Sequence, residues 1–135
     1  MKVSDLMIRD VVTIGPNDLL FDAVRKMNDH NVRHLPVTMD GKLVGIITER
    51  DIRLHASSLA EEDEPGGRFT LSLEAWVEEA MTRDPIVASP EANLKQVLDV
   101  FLREKVGAIP VVAADKELVG ILGYIDLLAI LRTKL

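Results

Sequence analysis

Cysteine is absent from the 135 residues. Its absence excludes disulfides, thiolate zinc sites and cysteine nucleophiles, and fits a reducing compartment. Aromatic side chains are almost as scarce, with one Trp, one Tyr and three Phe, although 47% of the residues are apolar. Any core is therefore aliphatic. Basic charge is in deficit: 16 Lys and Arg against 22 Asp and Glu leave a net charge of −6. No basic run supplies the stripe that a nucleic-acid surface needs, so no nucleic-acid partner is expected. Long apolar runs are missing too. The stretch from Leu118 to Leu131 is too short for a bilayer and is interrupted by Asp126. The opening Met1-Lys2-Val3-Ser4-Asp5 has no signal-peptide core. These features lead to the expectation of a cytoplasmic protein with no membrane partner. Catalytic signatures are also lacking: His30, His34 and His55 have no metal-ligand spacing, and there is no Gly-x-Ser-x-Gly, phosphate loop or paired-carboxylate arrangement. The chain is not expected to be an enzyme.

What the chain does contain is a duplication. Val3, Met7, Arg9, Asp10, Pro16, Leu20, Val32, Pro36 and Val37 recur, at a constant offset, as Val77, Met81, Arg83, Asp84, Pro90, Leu94, Val106, Pro110 and Val111. After one inserted residue, Leu43-Val44-Gly45-Ile46 and Asp51 recur as Leu118-Val119-Gly120-Ile121 and Asp126. One supersecondary unit is used twice. A unit of ~55 residues buries only about 60% of its unfolded surface and is marginal alone, so the two copies are expected to share one fold.

Each copy reads as β-α-β-β-α after a short opening helical turn. Ser4 is placed to cap Asp5-Leu6-Met7, and Ser72 to cap a longer helix reaching Met81. β-type stretches follow at Val11-Val12-Thr13-Ile14 and Ile86-Val87-Ala88. Leu20, Ala23, Val24 and Met27 then share one helix face, as do Leu94, Val97, Leu98 and Phe101. Asp22 and Lys26 are free to pair on the solvent side. Asp40-Gly41 predicts a hairpin between Leu35-Pro36-Val37 and Leu43 to Ile47. Ile109 to Val112 and Leu118 to Leu122 repeat it around Asp115-Lys116. Pro36 and Pro110 cannot donate to a ladder and belong at a strand start or on an edge. Closing helices run from about Arg50 to Ala56 and from Tyr124 to Leu135. Residues 57–71, with Glu61-Glu62-Asp63-Glu64-Pro65-Gly66-Gly67, have no counterpart and read as an exposed connector.

The Met7 with Asp10, the Pro16 helix entry, Val32-Arg33-His34-Leu35-Pro36-Val37 and Gly45-Ile46-Ile47-Thr48-Glu49-Arg50-Asp51 resemble, in order and duplicated, the CBS motif. A tandem pair resembles a Bateman module. The resemblance implies an α+β fold of two β-α-β-β-α CBS motifs packed with pseudo-two-fold symmetry. The first motif would be 1–56 and the second 72–135. It also implies a non-catalytic regulatory module that binds an adenosine-containing ligand between the motifs and signals to an unknown effector protein.

On that resemblance, Thr48 and Asp51 hold the two ribose hydroxyls. Read without it, Thr48 caps a helix and Asp51 favours the helix N-terminus; the two roles are compatible. Arg33 and His34 match positions that reach toward phosphate, against the alternatives of a snorkelling Arg and a satisfied surface His. Val12, Thr13, Ile14 and Ile46 match positions that line an adenine slot, and are otherwise ordinary strand residues. In the second copy Thr48 is replaced by Gly123, Arg33 by Gly107 and His34 by Ala108, while Asp126 keeps the carboxylate. One competent site per chain is therefore expected. Two candidate phosphate ligands suit AMP better than ADP or ATP, for which Mg²⁺ would offset the added charge; S-adenosylmethionine and NAD(H) remain alternatives, as does a ligand-free adaptor. No cofactor is required. Apolar residues on more than one face of Tyr124 to Leu131, with Leu19 and Phe21 outside the main stripe, suggest a homodimer.

Overall fold

The computed structural model describes residues 1–59 and 73–135. Ser72 and most of the expected connector lie outside them. By contacts the chain divides into two compact units. One comprises Val12–Asp40 and Val44–Asp84; the other comprises Met1–Val11, Gly41–Leu43 and Pro85–Leu135. Each unit therefore holds the body of one repeat and the opening segment of the other.

In the first-repeat unit, α2 (Leu20–His30) buries Leu20, Ala23 and Met27, the positions that the helical spacing marked. The helix starts with the Asp22 carboxylate accepting from the Leu19 N–H at 3.1 Å. It stops at Asn31, whose left-handed backbone (φ 52°) turns the chain so that the Val32 N–H also reaches the Met27 carbonyl, at 3.0 Å. Asp22 also sits 3.7 Å from Arg25. Lys26 does not pair with Asp22 as expected: it donates to the Thr13 carbonyl at 2.7 Å. Strands β1 (His34–Met39) and β2 (Lys42–Thr48) follow. Asp40 and Gly41 between them both have positive φ, 54° and 79°, the geometry of a type I′ turn. Helix α3 (Glu49–Leu59) extends beyond the expected end at Ala56, into the start of the expected connector.

The β-type stretch at Val11 to Ile14 shrinks to one parallel bridge. Ile14 donates to the Pro36 carbonyl at 3.1 Å and accepts from Thr38 at 2.9 Å. Continuing the ladder back to Val12 would require an N–H at Pro36, which proline lacks. Pro110 limits the Ala88 bridge in the same way, with Ala88 donating to the Pro110 carbonyl at 3.0 Å. Both prolines thus sit inside strands, with the missing donor turned toward the edge that carries this single bridge.

The second repeat's opening segment completes this unit. Helix α4 (Val77–Ala80) is a single turn, shorter than expected, and its Val77 is fully buried. Val77 joins Ile14, Leu20, Ala23, Met27, Leu35, Val37, Ile47 and Ile52 in one core. Strand β3 (Thr82–Arg83) adds to the sheet in the order β1-β2-β3. It pairs antiparallel with β2, Ile46 opposite Thr82 and Gly45 opposite Arg83. Glycine is required there, because a Cβ on Gly45 would stand 2.8 Å from both Met81 Sδ and the Thr82 carbonyl oxygen.

The second-repeat unit mirrors this plan. Helix α1 (Val3–Leu6) contributes Val3, and Met7 follows it, to a core with Leu94, Val97, Phe101, Ile109, Val111 and Leu122. Ser4 lies inside α1 rather than capping it; the Asp5 carboxylate accepts from the Lys2 N–H at 2.8 Å instead. Helix α5 (Leu94–Glu104) is capped by Asn93. Strands β4 (Ala108–Val112) and β5 (Leu118–Gly123) pair antiparallel around a 3₁₀ turn at Ala114–Lys116. Helix α6 (Tyr124–Lys134) closes the chain. Leu127 is its buried anchor, while Tyr124, Ile125, Leu128 and Leu131 are exposed. Leu19 is half-buried and bridged to Trp76, so its position outside the stripe is covered within the unit; Phe21 stays exposed beneath the Arg25 guanidinium.

Candidate functional site

All eight candidate residues fall in the first-repeat unit. At its centre, Thr48 ends β2 and Asp51 lies in the first turn of α3. They lock reciprocally: the Thr48 N–H donates to Asp51 Oδ2 at 3.0 Å, and the Asp51 N–H donates to Thr48 Oγ1 at 3.0 Å. This is a capping box with aspartate at the third helical position. Capping uses only part of the pair. Asp51 Oδ1 remains outside the box, and Thr48 Oγ1 accepts without committing its own O–H. Both residues are half-buried, which holds them in place while leaving them reachable.

Arg33 and His34 enter β1 beside this helix start. The Glu49 N–H donates to the Arg33 carbonyl at 3.1 Å, tying the head of α3 to the strand entry. The Arg33 guanidinium is 83% exposed and stands 3.7 Å from the Glu49 carboxylate, which Arg53 also approaches at 3.7 Å. A phosphate arriving at Arg33 therefore competes with Glu49, a counter-charge that sequence reasoning did not weigh. His34 is half-buried, and its pKa is lowered from 6.5, first by burial and then by Arg33, with Asp51 pulling the other way. It is neutral at pH 7, with one ring nitrogen to donate and one to accept.

That shift has a consequence for stability. The folded chain holds this proton less readily than the unfolded chain. The His34 contribution is thus complete above pH 6.5 and is lost as pH falls through the depressed folded value. Melting curves from pH 7.5 to 5 should show wild type losing more than His34→Gln. Parallel slopes would remove His34 from the pH response.

Ile46 is buried in β2, two residues before Thr48 and on the same strand face. Val12, Thr13 and Ile14 are anchored along the other edge of β1 through the Ile14 bridge, and the Thr13 carbonyl is taken by Lys26. The structure therefore gathers Thr48, Asp51, Arg33 and His34 around the start of α3, and positions Val12 to Ile14 through β1. Sequence reasoning missed Thr82, whose hydroxyl donates to Asp51 Oδ1 at 3.4 Å. One signal pointed there: a glycine inside the β2 pattern marks close approach of another backbone.

The equivalent place in the second-repeat unit is built differently. Ile8 pairs with Ile121 where Thr82 pairs with Ile46. Gly123 replaces Thr48, and a Cβ there would stand 2.8 Å from Asp126 Oδ2. Without a hydroxyl at Gly123, the Asp126 carboxylate lies close to the backbone and has no threonine to lock with. Among the described residues no cluster of His, Asp and Glu could hold a metal ion, and no helix is long and apolar enough to cross a membrane.

Residues 3–58 and 77–133 match the model of the CBS domain, and the chain belongs to that family. Inosine-5'-monophosphate dehydrogenase of Korarchaeum cryptofilum is 32% identical over 120 residues, covering 89% of this chain and 22% of that protein. The chain spans less than half the length of the first curated relatives it matches. Among solved structures, it is similar to the CBS domain pair of protein MJ0100 in complex with 5'-methylthioadenosine and S-adenosyl-L-methionine. That likeness has a TM-score of 0.81 and 29% identity over 100% of this chain and 98% of that one. CBSX2 in complex with AMP gives a TM-score of 0.81 and 27% identity over 99% of this chain and 98% of that chain.

Proposed function

We propose that this chain is a non-catalytic regulatory module of the cytoplasm that binds an adenosine-containing ligand, with AMP preferred. The observation that carries this reading is the Thr48–Asp51 lock. It fixes a carboxylate and a hydroxyl at a strand-to-helix junction and leaves Oδ1 and one O–H for a vicinal diol. The AMP-bound and S-adenosylmethionine-bound relatives support it. Thr48 and Asp51 take the ribose, Arg33 and His34 face the phosphate, and Val12, Thr13, Ile14 and Ile46 line the base. ADP and ATP bind more weakly, because Glu49 beside Arg33 opposes added negative charge. Ligand binding shifts the module between two states of different affinity, and an effector protein reads the shift. The exposed apolar residues of α6 pair two chains into a homodimer.

The second reading, a ligand-free adaptor, draws on the same lock, since a capping box needs no ligand. Titration calorimetry with AMP, ADP, ATP, S-adenosylmethionine and NADH separates the two. The expected result is AMP first in affinity at one site per chain, because Gly123, Gly107 and Ala108 leave the second-repeat unit without the matching groups. Two equivalent sites would overturn the asymmetry, and no heat with any of the five would favour the adaptor.

A further inference from the structure

Thr48 and Thr82 both hydrogen-bond to Asp51, and Thr82 comes from the other repeat. Asp51 Oδ2 is consumed by the Thr48 N–H at 3.0 Å, so Oδ1 is the oxygen left for chemistry. Thr82 Oγ1 approaches Oδ1 at 3.4 Å. A hydroxyl donating to a carboxylate normally closes to about 2.5–2.7 Å. This contact is thus loose, at the limit of a hydrogen bond, and a ligand hydroxyl can replace it at little cost. Thr82 is exposed and lies in the two-residue strand β3. Its backbone is nonetheless fixed, by pairing with Ile46 and by the close approach to Gly45.

We infer that Thr82 is a ligand residue, the third member of a diol site formed with Thr48 and Asp51, and that it helps the site select ribose over deoxyribose. The inference rests on the adenosine-binding reading above. With Oδ2 anchoring the start of α3, Oδ1 alone faces both hydroxyls of a diol and serves them better with a second partner beside it. The Thr82 hydroxyl beside Oδ1, able to donate or accept, gives the second ribose hydroxyl its partner. The counterpart in the second-repeat unit is Ile8, whose side chain offers no hydrogen bond. Residues of both repeats thus build the ribose end of one site, although all three stand in one compact unit.

The test is calorimetry on the full chain with AMP, 2'-deoxy-AMP and 3'-deoxy-AMP, using wild type, Thr82→Val and Thr82→Ser. The valine is close in shape and the position is exposed, so folding should be unaffected; a melting curve for each variant checks this. Thr82→Val should weaken AMP binding by about three- to tenfold, the range for one lost neutral hydrogen bond. The same substitution should matter less for at least one deoxynucleotide, and Thr82→Ser should restore AMP binding. An equal loss for all three ligands, or no loss, overturns the role of Thr82 while leaving adenosine binding intact. Failure of wild type to bind any of the three overturns the adenosine reading itself, and this inference with it.

Discussion

Replacing Asp51 with alanine should weaken AMP binding by roughly ten- to a hundredfold, the equivalent of ~1.4–2.8 kcal/mol. That range is what a single hydrogen bond to a charged acceptor contributes, at ~1.5–3 kcal/mol. The same substitution also removes the partner of the Thr48 N–H. Loss of such a cap costs about 1 kcal/mol. For a chain of this size that corresponds to a melting temperature lower by roughly 3–5 °C. The two effects are separable. Asp51→Asn keeps an oxygen that can accept from Thr48 but loses the charge. It should melt close to wild type while binding AMP nearly as poorly as the alanine variant. Calorimetry and melting curves on the three proteins decide the matter. If affinity simply tracks stability across them, Asp51 is a capping residue and nothing more.

How much of this site was legible in the sequence follows from the range of each interaction. Thr48 and Asp51 are three residues apart across a strand-to-helix junction, and local spacing is enough to bring them together. Arg33 precedes and His34 begins a strand that the Asp40-Gly41 turn fixes in register against β2, so they too were within reach. Glu49 is next to Thr48 and was visible, but the pull it exerts on Arg33 depends on where the hairpin brings the two together. Thr82 was out of reach, because it meets Asp51 only through the pairing of β3 with β2. Lys26 was assigned to the wrong partner for a related reason. Helical spacing offered Asp22, but Asp22 serves the start of its own helix, and the Thr13 carbonyl is left for Lys26.

The fold divides along the same line. The amphipathic helices, both hairpins and the edge role of the prolines follow from periodicity and turn chemistry. The membership of the two cores does not. Val3 and Val77 occupy equivalent places in the two repeats, as do Met7 and Met81. A duplicated sequence therefore gives the same pattern whichever core each opening segment enters. Tertiary packing makes the choice. Val77 fills the core with Leu20 and Leu35, and Val3 the core with Phe101 and Ile109. Backbone bonds reinforce it: Val77 donates to the Asp18 carbonyl at 2.8 Å, and Val3 to the Ala92 carbonyl at 3.0 Å.

That exchange sets the largest stability effects to be expected. Val3 and Val77 are both fully buried. An aspartate at either place would put an unpaired charge in an aliphatic core and should cost about 4 kcal/mol or more, at the upper end for single substitutions. Marginal stability of ~5–15 kcal/mol leaves little margin for such a loss. The milder alanine variants locate the effect. Removing two methyl groups from a buried valine costs about 1.5–3 kcal/mol, including the cavity left behind. In native-state hydrogen exchange, Val77→Ala should lower protection first in α2, β1 and β2. Val3→Ala should lower it first in α5, β4 and β5. Each substitution thus weakens the repeat that does not contain it in sequence. For the same reason Val77→Ala should also loosen the strand bearing Thr82 and reduce AMP affinity, whereas Val3→Ala should leave affinity near wild type. Loss of protection confined to the substituted repeat's own helices and strands would contradict the exchanged cores.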